Sequence, residues 1–290
     1  MIFAVHDPMG KAAGLLLTLA MAAGAHAQRA SLAEAVAQAK ALREAPTDAS
    51  RELASDRLKN ALRAVLDAPD GLTVNLDSLP LSRVEAPDRS LRLITWNIPL
   101  TDGSHRYEGL LLARSGRLTS LFELRDMSAS IPNPELAELG PDRWYGALYY
   151  QLIEVRKGGK TWYTLLGWKG HSATETRKVI EVLSFRGGKP RFGAPLFGQA
   201  RRKEMRKVYA YAFQASMMLR YEPALKRIVL DHLAPLQPGI DGKGPLMGPS
   251  MSFDAFVWGK GQWRFERDID LRDPKDDKRP YTPPPKEPRR

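Results

Sequence analysis

Across residues 91–266 the chain alternates short apolar runs with Gly, Pro and charged breaks. Most runs repeat with a period of two, the spacing that places successive side chains on opposite faces of a strand. The pattern predicts strands over Leu91–Ile98, Arg106–Ala113, Leu118–Leu124, Trp144–Val155, Thr161–Trp168, Lys178–Phe185, Arg206–Phe213, Met217–Tyr221, Arg227–Asp231, Ser252–Trp258 and Gln262–Glu266. Gly158-Gly159, Gly187-Gly188 and Gly259-Lys260-Gly261 fall between such runs, where residues that tolerate positive φ close tight hairpins. Many short strands joined by hairpins predict a mainly β fold, an antiparallel sandwich or barrel-like meander with a short N-terminal helical segment. A β-propeller-like arrangement ranks second, because the Gly-marked turns recur unevenly.

Before residue 70 the period changes to that of helices. Ser31-Leu32-Ala33-Glu34 has the form of a capping box and predicts a helix start, with Leu32, Val36 and Ala39 on one face and Pro46 as its end. A second helix from Ser50 aligns Leu58, Leu62 and Val65 and stops before Ala68-Pro69-Asp70-Gly71. Ahead of both, AAGLLLTLAMAAGAHA follows Lys11 and closes on Ala25-His26-Ala27, the small-x-small pattern that signal peptidase cuts. The expected organisation is a signal peptide over 1–27, with Met9 competing with Met1 as the start, then a helical segment over 28–70. A β-rich domain over 71–272 and a disordered, Pro-rich basic tail over 273–290 complete it. Export to the periplasm or the cell surface follows. No later run approaches the roughly 18 apolar residues of a membrane span, so no transmembrane segment is expected after cleavage.

The stretch WYGALYYQLIEVRKGGKTWYTLLGW, residues 144–168, concentrates aromatic residues around one Gly-Gly turn. A two-residue loop there pairs Val155 with Trp162, Ile153 with Thr164, Gln151 with Leu166 and Tyr149 with Trp168 on one face. It pairs Glu154 with Tyr163 and Leu152 with Leu165 on the other. Both faces are largely apolar, which predicts a central hairpin rather than one with a solvated side. Rings of roughly 150 to 250 Å² each are too large to leave exposed in number on a monomer. Most of them should be core. Tyr149, Gln151 and Trp168 nevertheless combine flat rings with an amide, the mixture that stacks on sugars and reads their hydroxyls, and they are the candidate ligand-binding residues.

Composition removes several chemistries. With no Cys there is no disulfide framework, no Cys-ligated zinc and no thiol nucleophile. A net charge of +11 favours anionic neighbours, but no nucleic-acid motif accompanies it. Nucleic acid is therefore not the expected partner. The densest basic cluster, Arg201-Arg202-Lys203 with Arg206-Lys207, is expected in a solvated loop. Beyond the leader only His105, His171 and His232 remain, without metal-ligand spacing, and neither metal nor cofactor is expected. Asp231-His232 are neighbours that point to opposite faces of an extended strand, so His232 needs a distant partner such as Asp254 or Ser216 to act as a base. Asp231, His232 and Asp254 are the candidate catalytic residues. Asp268 and Asp270 would share a strand face and offer a calcium reading without EF-hand spacing. Glu123, Asp126, Glu154, Glu181 and Asp254 could supply the two facing carboxylates of a glycan hydrolase.

The ordered phrases Ile94-Thr95-Trp96-Asn97 with Asp102-Gly103, then WYGALYY, YTLLGW, RKVIEVLSF, FGAPLF, SMMLRY and IVLDHLAP, span Leu91 to Asp270. Together they resemble a family of exported, uncharacterised proteins common in Bacteroidetes-type bacteria. The resemblance implies export and a β-rich body, and no activity. At a loop where that family carries Gly-Pro-Asp and Asp-Gly, this chain has Gly248-Pro249-Ser250 and Asp254-Ala255. The expected function is non-enzymatic binding of an envelope or extracellular polysaccharide or of a partner protein. A carboxylate-dependent glycan hydrolase and a structural envelope assembly protein are the alternatives.

Overall fold

The computed structural model describes residues 8–198, 203–239 and 242–271, without the side chains of 8–23 and 25. The expected Pro-rich tail and Arg201-Arg202 lie outside the described residues. The chain divides into two units, Met1–Leu81 and Ser82–Arg290, so the segment after Asp70 goes with the helices as far as Leu81.

The first unit is an antiparallel pair, α1 (Pro8–Glu44) and α2 (Asp48–Leu66). No capping box forms at Ser31, because α1 runs unbroken through the Ala-rich stretch and Ala25-His26-Ala27. A capping box forms instead at Thr47, whose hydroxyl accepts the Ser50 amide while the Ser50 hydroxyl accepts the Thr47 amide. Leu58, Leu62 and Val65 are buried along one stripe of α2, as the period predicts. Gln28 ties the helices by donating to the Val65 carbonyl at 3.1 Å and to Asp70 at 2.7 Å. Among the described residues, no helix is long and apolar enough to cross a membrane.

The second unit is mainly β, built from three antiparallel sheets, and none of them closes into a barrel. The first sheet holds β1 (Ser82–Glu85), β2 (Leu91–Pro99), β3 (His105–Ser115) and β4 (Leu118–Arg125) in that order. The central sheet holds β5 (Leu148–Lys157), β6 (Lys160–Gly170), β7 (Glu175–Arg186) and β8 (Lys189–Phe192), with β9 (Arg206–Ala212) also pairing β7. The third holds β10 (Leu219–Glu222), β11 (Arg227–Pro235), β12 (Met247–Gly259) and β13 (Gln262–Glu266). β1 and β8 lie in stretches where no strand is expected from the pattern. Each is four residues long, too short for a period of two to register.

The central sheet is buried on both sides. Leu165, Val179 and Leu183 pack with Leu93, Tyr107 and Leu111 of the first sheet, while Leu166, Ile180 and Val182 pack with Ile228, Leu230 and Phe256 of the third. This layering explains why the β5–β6 hairpin reads apolar on both faces. Its turn is the expected one, with Gly158 and Gly159 at φ of 58° and 71° and Lys157 opposite Lys160. The register follows the expected pairs from Val155–Trp162 back to Gln151–Leu166 and then slips. Tyr149 lies opposite Gly167, Leu148 opposite Trp168, and Tyr150 is the extra residue of a β-bulge.

Arg206 departs most from expectation. It does not lie in a solvated loop. It belongs to β9 and is fully buried, cross-strand from the equally buried Glu181 of β7.

Candidate functional site

The bulge decides what the aromatic hairpin presents. Upstream of it Tyr149 turns into the core and is fully buried. Its hydroxyl donates to Glu181 and accepts the Trp144 indole N–H at 3.0 Å, and Glu181 in turn accepts Arg206 Nε at 2.6 Å. Arg206 completes its fan on the carbonyls of Pro134, Ala137 and Phe192, the last two at 2.9 and 3.1 Å. Desolvation and the adjacent Glu181 carboxylate push the Tyr149 phenol well above its ordinary range, so it stays protonated as the donor. Tyr149 is thus a structural pin and not a sugar platform.

Gln151 is also committed. Its amide oxygen accepts the Tyr221 N–H at 2.8 Å and its amide nitrogen faces the Tyr221 carbonyl at 3.5 Å, so it latches the central sheet to β10. Gln151 and Trp168 are both half-buried, and with Gln151 committed to Tyr221 only Trp168 of the three expected ligand residues remains open to a ligand.

Around Trp168 lies a contiguous shelf that sequence pattern does not announce. Trp168 meets the His105 ring edge-on with centroids 5.6 Å apart, and His105 Nδ1 lies 2.8 Å from the Asn97 amide nitrogen. That amide N–H donates to Nδ1, which leaves the imidazole proton on Nε2. Burial and the nearby Lys169 charge depress the His105 pKa, so the ring is neutral near pH 7. On the other side Trp168 pairs across the β6–β7 ladder with Lys178, whose ammonium sits 4.8 Å above the centre of the Tyr150 ring. Tyr150 is 41% exposed, and its hydroxyl is anchored to the Leu219 carbonyl at 2.8 Å. Gly170 makes the close approach possible. A Cβ there would come within 2.6 Å of His105 and 2.8 Å of Trp168.

Beneath the shelf Lys169 is buried, with its ammonium over the faces of Tyr107 and Tyr145, at 4.2 and 5.0 Å from their centres. It donates to the Tyr145 and Gly146 carbonyls and to the Ser128 hydroxyl. Burial pulls its pKa down to about 8, with Asp126 acting in the opposite direction.

The candidate catalytic residues do meet in part. A bulge in β11 at Asp231–Leu233 turns His232 toward β12, where Nδ1 lies 2.9 Å from Asp254 Oδ2. His232 Nε2 then faces Arg267 Nη2 at 3.4 Å. Asp231 stands apart and accepts the Met218 N–H at 2.7 Å. The imidazole is thereby held between a carboxylate and a guanidinium, both of them protein groups. Asp268, at φ 54° beyond the end of β13, donates its N–H to Asp254, so Asp268 and Asp270 do not share a strand face. Among the described residues no three His, Asp or Glu side chains gather as metal ligands.

The missed members, Tyr150, Lys178 and Asn97, carry ordinary strand-residue signals. Only the bulge and the sheet order bring them together. No family model, curated protein or solved structure matches the chain.

Proposed function

We propose that the protein is an exported, non-enzymatic binding protein whose ligand is an envelope or extracellular polysaccharide, held on the shelf Asn97–His105–Trp168–Lys178–Tyr150. The carrying observation is that two incompletely buried rings share one lysine: Lys178 lies directly opposite Trp168 on the neighbouring strand and holds its ammonium 4.8 Å from the centre of the Tyr150 ring. Flat, partly exposed rings give a sugar an apolar face to stack on, while polar neighbours read its hydroxyls. Export is supported by the apolar leader and its Ala25-His26-Ala27 close.

The test is a screen of the purified protein against envelope and extracellular glycans at low and high salt, with Trp168→Ala and Tyr150→Ala alongside. Binding that survives salt and is lost in both variants supports the reading. Binding that neither variant changes removes the shelf as the site.

A further inference from the structure

Resting on the glycan reading, we infer that the ligand is an acidic polysaccharide and that Lys178 receives its carboxylate. Four other strand cations buried or half-buried in this unit have acceptors. Arg92 pairs with Glu85 at 2.9 Å, Arg177 with Glu175 at 2.6 Å and Arg206 with Glu181 at 2.6 Å, while Lys169 reaches two carbonyls and a hydroxyl. Lys178 differs. Among the described residues no carboxylate lies within ion-pair distance of its ammonium and no oxygen accepts from it; its contact is the face of Tyr150.

The electrostatics agree with the geometry. Desolvation alone lowers the Lys178 pKa, with no charged neighbour raising or lowering it. A half-buried cation without a counter-charge costs stability, and an anion that docks on it regains that cost. The ring beneath the ammonium favours a cation there but accepts none of its N–H donors, which stay open to a ligand.

Position sets the class of anion. Lys178 and Trp168 are directly opposite on neighbouring strands, with Cβ atoms about 5 Å apart in such pairs. One sugar residue stacked on the indole can therefore reach the ammonium with a carboxylate carried on its own ring. A uronic acid has that shape. A flexible polyanion without a flat apolar face satisfies the lysine but wastes the two rings.

The experiment measures affinity of the full chain for polygalacturonate, alginate and hyaluronate, each beside its carboxyl-reduced form, with poly-glutamate as a charge control, at physiological salt. At least one uronic polymer should bind ten-fold or more tightly than its reduced form. Lys178→Met should abolish that difference, and Lys178→Gln repeats the test should the methionine variant lose its fold. Lys189→Met, an exposed cation elsewhere, should leave the difference intact. If acidic and reduced polymers bind alike, and only Trp168→Ala weakens them, the acidic assignment falls while the glycan site stands. Equal binding of poly-glutamate, or a preference that Lys189→Met removes as well, marks net charge as the cause and overturns it. Absence of binding to all six polymers overturns the acidic assignment, and the broader neutral-glycan screen decides the site separately.

Discussion

Glu181 and Arg206 face each other across the β7–β9 ladder with Oε1 and Nε 2.6 Å apart, and neither side chain has any exposed surface. A pair so placed is held by what surrounds it. Tyr149 donates to the second carboxylate oxygen, and three main-chain carbonyls take three of the four remaining guanidinium N–H donors. Removing one partner strands the other charge in the core, at a cost of about 3 to 5 kcal/mol. Arg206→Met should therefore lower the urea midpoint sharply, and adding Glu181→Gln to it should recover part of the loss. A double-mutant cycle by equilibrium denaturation measures the coupling.

Tyr149→Phe deletes one hydroxyl from the same network. The Trp144 indole N–H and one Glu181 oxygen then lose their partner, and the expected cost is about 1 to 3 kcal/mol. Glycan affinity should not change, since the ring is fully buried. Parallel denaturation and binding curves check both statements.

The Lys169 ammonium gives stability a pH dependence of defined sign. Its folded pKa, about 8, lies below the unfolded value near 10.4, so between these values the unfolded chain binds more protons. Stability must then rise from pH 8 toward pH 10 through this group. Above about pH 10 the buried Tyr107 and Tyr145 act oppositely, because their raised pKa values keep them protonated only in the folded state. Relative to Lys169→Met, the protein should gain on the order of 2 kcal/mol between pH 8 and 10. Chemical denaturation of both proteins across that window reads the difference, and parallel curves for the two would refute the assignment.

His232→Ala should weaken stability modestly, by about 1 kcal/mol, by depriving Asp254 of a hydrogen bond. Because His232 lies on β11 of the third sheet, bonded to Asp254 and facing Arg267, glycan binding should be unchanged. A loss of binding without a loss of stability would place the ligand at His232 instead.

Much of the β unit was legible in the residues. The β5–β6 register could be written from Gly158-Gly159 back to Gln151–Leu166, because a two-residue turn fixes the pairing and period two carries it along. It failed one step later because the Tyr150 bulge bears no Gly or Pro to mark it. That single extra residue exchanges the roles of two adjacent tyrosines, one sent to the core and one left at the surface. Arg206 was misplaced for a different reason. A cation in a basic run looks solvated until the opposing Glu181, 25 residues away, supplies its partner. The shelf itself depends on β6 and β7 pairing and on His105 arriving from another sheet, information that no local pattern holds.

Which of two neighbouring tyrosines meets the ligand decides where the site lies. The most direct measurement is calorimetric titration of the tightest-binding glycan into Tyr150→Ala and Tyr149→Phe, with folding verified for each. The structure predicts at least a ten-fold loss for Tyr150→Ala and native affinity for Tyr149→Phe. Native affinity in Tyr150→Ala, or a comparable loss in a folded Tyr149→Phe, would contradict the shelf as the binding site.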